Sequence, residues 1–446
     1  MFKLSIWALA LIIAFFGTDV SAIQCLDSPI SELKVRELRP GLKLILLPLT
    51  SDEDEVSFRA IADGGFADFP SSQRASIELS AQIGLLSLQH QRKLRGIDLK
   101  FSVRAFDHSI DALLCSEEIP ELAEILTELF ITKPFTHGCA GLLTQRWGNA
   151  LKTDIAANGF EAFELLYCSQ LFEDPQPFTG LCRGSLDRFD FETAKDYFQN
   201  QFSVLDNYTF VLVGNFDADK ATAAFEKAIQ RLPPTPPSGT ALPKILPKSL
   251  QIPEGIKKVK LGSEGCSRGS LRLVIPLNLS QDTASFHELQ CMSQVIETRL
   301  RRTIKSIYGH SRGVDVAFEF PLVTSLDPAY LLIQVRQLEG HGDELTRVIL
   351  NDLQKMVESE LDGATIEAAQ RQLETSRSLW THESCYWVAM LGNFVLWGFD
   401  PSKADVPCPG DIVELQKQSL AFARQHFSPL RVIQITFDHP THPPLF

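Results

Sequence analysis

The sequence predicts an α/β protein made of two repeated sandwiches, each a sheet with helices packed on one face. Three observations predict it. At 446 residues the chain is longer than one core comfortably serves. A proline-rich stretch, LPPTPPSGTALPKILPKS at 232–249, divides it near the middle and carries no periodic face. The two halves close on one pattern, DFETAKDYFQNQFSVLDNYTFVLVGNF at 190–216 and DIVELQKQSLAFARQHFSPLRVIQITF at 411–437. Each reads as a helix opened by an acidic cap, a short aromatic turn and an apolar strand. The expected organisation is a signal segment 1–22, a first domain 23–231, a linker 232–250 and a second domain 251–446.

The elements follow in chain order. MFKLSIWALALIIAFFGTDVSA has Lys3, an apolar run from Ile6 to Phe16, and small residues at Ser21 and Ala22. That is secretory signal architecture, cleaved after Ala22, because the run falls short of the roughly 20 residues a membrane span needs. LKLILLPL (42–49) and VSFRAIA (56–62) read as strands flanking the acidic turn TSDEDE. GGFADFPSS then breaks the pattern before a helix at 73–87, a strand at 99–106, an amphipathic helix at 119–130 and another at 140–160. The second half reads as a strand at 270–279, a long helix at 284–307, a strand at 329–338, and helices at 342–359 and 363–380.

A formal net charge of −13 argues against nucleic-acid binding, which needs a basic field to neutralise phosphates. No stretch after the signal is long and apolar enough to span a membrane, so no anchor is expected. The protein is read as exported, periplasmic in a bacterium and secreted otherwise. All nine cysteines follow the signal, none forms a CxxC pair, and Cys168/Cys182 is a candidate bridge by spacing. The odd count leaves a free thiol or an intermolecular bridge.

Hydrolytic centres announce themselves by motif, and here they are missing. The ten histidines form neither HxxEH nor HExxH, and His439 and His442 sit in the proline-bearing tail DHPTHPPLF. No GxSxG forms the strand-to-helix turn of a nucleophile elbow, since GCSRG (265–269) precedes a strand and GHSRG (309–313) follows a helix, and there is no phosphate-binding glycine loop. No self-sufficient catalytic residue is therefore expected. The basic segment RLRRTIKSIYGHSRG (299–313) stands out in so acidic a chain. Helical spacing puts Arg301, Lys305 and Tyr308 on one face, with Leu300, Ile304 and Ile307 as an adjacent apolar stripe. One reading is a solvated polar face over a packed stripe, which suits Arg299, Arg302 and Lys305. The other is an arginine and a phenol at a helix end that steady a bound carbonyl or carboxylate.

RPGLKLILLP (39–48), ADGG (62–65), FITKPF (130–135), YTFVLVGNFD (208–217) and the Arg301–Tyr308 spacing occur in order. Together they resemble the insulinase/pitrilysin superfamily of zinc metallopeptidases, peptidase family M16, in its non-catalytic, C-terminal-type half, over about residues 34–440. The resemblance implies two M16-type sandwiches with mainly antiparallel sheets. The family's HxxEH motif falls at ASIEL, where Ala75 and Leu79 replace both histidines and Glu78 matches the glutamate. Glu161 or Glu164 marks the region of the distal ligand.

The resemblance thus implies no cofactor on this chain, and zinc on a separate catalytic partner. Arg301 and Tyr308 match family residues that reach toward a peptide at the partner's zinc, binding substrate and polarising the scissile carbonyl. Arg302, Lys305 and Ser306 depart from the family pattern between them, where an acidic residue and a glycine pair are usual. The expected function is a non-catalytic, substrate-binding subunit of a two-chain peptidase, paired with an HxxEH chain and acting on peptides. The alternative is a stand-alone inactive homologue, peptide-binding or structural, as a homodimer. Purified alone, the chain is expected to carry no stoichiometric zinc by elemental analysis; one zinc per chain would contradict the reading of Ala75 and Leu79.

Overall fold

The computed structural model describes residues 28–50, 54–92, 94, 96–153, 169–172, 186–233, 251–262, 269–277, 282–309, 313–320, 329–338, 342–405 and 411–438. The signal segment, the linker beyond Pro233, Glu161, Glu164, Cys168, Cys182, His439 and His442 lie outside them.

The first sheet has six strands: β1 (Lys34–Arg39), β2 (Leu42–Pro48), β3 (Val56–Asp63), β4 (Asp98–Val103), β5 (Asp107–Leu114) and β6 (Thr209–Gly214). Their order is β1-β2-β6-β3-β5-β4, and only the β2–β6 pair is parallel. Helices α1 (Arg74–Gln91), α2 (Ile119–Thr132), α3 (His137–Thr153), α4 (Phe191–Tyr197) and α5 (Ala218–Ile229) accompany it. The second sheet has five: β7 (Ile256–Gly262), β8 (Gly269–Leu277), β9 (Val314–Glu319), β10 (Ala329–Leu338) and β11 (Val432–Asp438), in the order β7-β11-β8-β10-β9. Its helices are α6 (Thr283–Tyr308), α7 (Gly342–Glu358), α8 (Gly363–Trp380), α9 (Ser384–Leu396) and α10 (Ile412–His426).

The repeat is exact in topology once β1 is set aside. In each sheet the first strand of the repeat pairs in parallel with the last, and the other pairings are antiparallel. The closing helices are capped alike. Asp190 accepts from the Thr193 amide at 2.7 Å and Asp411 from the Val413 amide at 3.0 Å, each satisfying a donor the helix leaves open. Both sheets carry their own helices on one face, as the sequence predicts.

Strands β1, β5, β7 and β9 and helices α5 and α9 are absent from the sequence reading. Strand β5 opens on Asp107, His108 and Ser109, polar residues that are nevertheless buried. Strand β7 is rich in lysine, and α9 is apolar on nearly every side, so its period is illegible. Cys115, Cys139 and Cys385 are free thiols, and Cys291 on α6 is disulfide-bonded.

The reverse face of each sheet is covered from the other half of the chain. Alternate residues of β2 and β6 enter different cores, as strands buried on both faces must. Leu42, Leu44, Leu46, Phe210 and Leu212 join the first half's helices. Ile45, Leu47, Val211 and Val213 instead meet Phe286, Trp387, Leu391, Phe394 and Trp397. Helix α9 therefore lies across β3 and β6. The Ser384 hydroxyl is 2.8 Å from that of Ser57 and donates to Glu55 at 3.0 Å. Gly392 permits the close approach, since a Cβ there would lie 3.2 Å from Arg59 Cδ. In return, Leu171 and Phe172 pack on Val274, Tyr330, Leu332, Ile433 and Ile435 of the second sheet. Their carbonyls accept from the Gln251 amide at 2.7 Å and from its side chain at 3.0 Å.

Trp387→Ala is expected to cost about 3–5 kcal/mol, the toll of a large buried aromatic. The midpoint of urea unfolding should fall for probes in both halves together, because α9 belongs to one half and seals the sheet of the other.

Candidate functional site

Helix α6 spans 26 residues because its apolar positions recur at helical spacing and both ends are capped. Asp282 accepts from the Ser285 amide at the start, and Gly309 ends it in the left-handed region at φ 80°, donating to the Lys305 carbonyl at 2.8 Å. Leu289, Met292, Val295, Ile296, Leu300 and Ile304 are buried in the second core. The predicted stripe fails at its last member. Ile307 is 52% exposed, and Tyr308 packs against the core in its place, because a step of four from Ile304 keeps to the buried side. The Tyr308 hydroxyl is shielded from solvent.

The arginines are engaged. Arg299, expected on a solvated face, is largely buried and pairs at 3.0 Å with Asp352 of α7, which also accepts from the Thr303 hydroxyl at 2.9 Å. Arg302 donates to Thr365 at 2.7 Å and lies 3.6 Å from Asp362, tying α6 to α8. Arg299 is a correction to the sequence reading, and long helices packed side by side are its cause, whereas Arg302 is exposed as expected. Lys305 remains exposed, with no ion-pair partner among the described residues.

Arg301 occupies a fixed position. Its Nε donates to the Val314 carbonyl at 2.9 Å, and its Nη2 lies 3.0 Å from Glu297 and 3.7 Å from Asp315. Asp315 is shared with Arg336 of β10 at 2.9 Å, and Glu297 also accepts from the Val316 amide at 3.1 Å. Burial pushes the Glu297 carboxyl above its ordinary range, while Arg301 and the Val316 amide pull it back. Arg301 and Tyr308 thus share the last two turns of α6, the arginine nearly half exposed and the phenol turned inward. The supporting Glu297, Asp315 and Arg336 were not read from the sequence. Glu297 carries a local signal, four residues before an arginine; Asp315 and Arg336 meet only through strand register.

The positions expected as a degenerate metal motif are packing residues. Ala75 is buried, and Leu79 lies in a cluster with Ile83, Cys139, Ala140 and Leu143, so the turn of α1 at 75–79 faces α3 rather than an ion. Glu78, between them, is half-buried. Among the described residues no group of three or more His, Cys, Asp or Glu is placed to hold a metal. Alanine and leucine offer no lone pair, so zinc does not fit here and no chemistry is routed through it.

Two further histidines, one buried and one half-buried, lie apart from this face. His108 donates through Nδ1 to the Gly64 carbonyl at 2.8 Å, in a box of Tyr197, Phe202 and Tyr208. Burial lowers its pKa, opposed by the Gly64 carbonyl and the Asp107 and Asp63 charges. His426, against the Phe422 ring, is lowered to about 4 by burial.

Residues 188–373 match the family model described as the peptidase M16 inactive domain. No curated protein matches the chain. Among solved structures, the periplasmic protease PqqL from Escherichia coli is similar over 95% of this chain and 48% of its own, at 15% identity and a TM-score of 0.64. The chain therefore spans about half the length of that protease. A protease from Helicobacter pylori is similar over 91% of this chain and 99% of its own, at 11% identity and a TM-score of 0.70. A peptidase M16 inactive domain from Pseudomonas fluorescens is similar over 93% and 100%, at 15% identity and a TM-score of 0.67. At such identities the likeness is one of fold.

The lowered histidines set a pH dependence. Unfolded imidazole takes its proton near pH 6.5, whereas folded His426 resists until about 4, so stability is complete above 6.5 and lost as the pH falls between them. The slope is up to about 1.4 kcal/mol per pH unit for each such group. Urea titrations at pH 7 and pH 5 should show His426→Gln losing less stability on acidification than the parent chain.

Proposed function

We propose, from the match of residues 188–373 to the peptidase M16 inactive domain, that this chain is an inactive, C-terminal-type member of the M16 peptidase family and binds peptides without cleaving them. It acts as a catalytically inactive homologue, alone or as a homodimer, with residues 23–231 and 251–446 as its two domains. One observation carries this reading. The turn at Ala75–Leu79 is packed shut as core, yet Arg301 is held in a fixed geometry on an accessible helix face. A guanidinium so held serves as a charge-assisted donor to a peptide carbonyl or carboxylate, and the Tyr308 phenol, on release from the core, would add a second donor. Among the described residues no helix is long and apolar enough to cross a membrane. With the signal segment, this supports a place outside the cytoplasm.

A second reading has its own support. The chain spans about half of PqqL, so a second half from a separate HxxEH chain would complete a protease of that size. In that arrangement the partner supplies zinc, and Arg301 and Tyr308 polarise the scissile carbonyl from across the chamber.

Three samples separate the readings: this chain, an HxxEH chain of the same family from the same organism, and their mixture, each assayed for peptide binding, cleavage and zinc. Binding by this chain, with cleavage in the mixture no greater than that of the HxxEH chain alone, supports the inactive homologue. Cleavage in the mixture above that of the HxxEH chain alone, falling about 100-fold with Tyr308→Phe, supports the two-chain peptidase. Unaltered binding and cleavage after replacing both Arg301 and Tyr308 with alanine would remove the site from either.

A further inference from the structure

We propose that the outer face of α6 is a carboxylate-selecting subsite that takes acidic segments of an extended peptide, with Glu297 and Asp315 positioning Arg301 for them. The inference rests on the peptide-binding reading above and adds the class of peptide.

The Arg301 guanidinium spends two of its three nitrogens on its own domain. Nε is bound to the Val314 carbonyl, and Nη2 to Glu297 and Asp315. Nη1 makes no contact with any described residue, and the side chain is 47% exposed. A planar guanidinium anchored along one edge presents its remaining donor in a fixed direction, so little rotamer entropy is lost when a ligand arrives.

The charges around it are matched, with one left over. Arg299 is answered by Asp352, Arg302 by Asp362, and Arg301 and Arg336 together by Glu297 and Asp315. Lys305, one helical turn beyond Arg301 on the same face, has no such answer. In a chain of net charge −13 this leaves a local positive spot at Arg301 and Lys305. Ile307, 52% exposed beside Lys305, gives a neighbouring apolar side chain a place to rest.

The test uses the full mature chain and fluorescence anisotropy with two fluorescein-labelled 15-residue peptides, one with glutamate at alternate positions and one with glutamine there. The glutamate peptide should bind about tenfold more tightly in 50 mM NaCl, and the preference should shrink in 300 mM NaCl. Lys305→Glu should bring the glutamate peptide down to the level of the glutamine peptide, whereas Lys227→Glu, the same charge change on the exposed side of α5, should not. Glu297→Gln discriminates further. Removing a negative charge would tighten acidic binding if only the field mattered, but loss of the positioning contact should weaken it several-fold, with the melting temperature reported alongside to show that the fold is retained. Equal binding of the two peptides, tighter binding by Glu297→Gln, or comparable binding of a 15-nucleotide single strand would overturn the subsite. Binding of neither peptide would overturn the peptide-binding reading itself.

Discussion

Two sheets with apolar residues on both faces cannot stand alone in water, and the rest of this structure follows from how their reverse faces are closed. Each half lends a segment to the other, α9 against β3 and β6, and Leu171–Phe172 against β8, β10 and β11. Apolar burial supplies the driving force. The Ser57–Ser384–Glu55 contacts and the two Gln251 bonds satisfy polar groups that closure would otherwise strand.

The same closure fixes the candidate site. The first turns of α6 belong to the junction, where the Phe286 ring meets those of Phe394 and Trp397 and the His287 ring bonds the Lys403 carbonyl at 2.8 Å. The last turns of that one helix carry Arg301 and Tyr308. A helix is stiff over this length, so the junction sets the direction from which Arg301 faces its surroundings. Ion pairs to α7, the cap of α8 and β9 then hold the far end. The Arg299–Asp352 pair is the most enclosed of them, and a buried pair is costly to break by removing one member.

On α1 the turn that carries Ala75 and Leu79 is packing surface, with Leu79, Ile83 and three residues of α3 in one cluster. Fold and function separate here as they do in other families, because a sandwich needs volume and apolarity at these positions whereas a metal needs lone pairs.

Much was legible in the sequence. The paired closing motifs with Asp190 and Asp411, the helices at 119–130 and 284–307, and the strand at 329–338 rest on local rules of capping and periodicity, which act within a few residues. The missing HxxEH motif and the Arg301–Tyr308 spacing are local in the same sense. What the chain alone did not disclose depends on partners far away in sequence. Asp315 reaches Arg301 because β9 pairs with β10 in one register; Ile307 and Tyr308 exchange roles because the core lies on one side of the helix; α9 finds β3 across more than three hundred residues of chain. Local chemistry determined which elements form and which catalytic groups are lacking. Only tertiary packing decided which arginines are bound, which donor remains outward, and what covers each sheet, since burial and ion pairing are properties of surfaces brought together rather than of neighbours along the chain.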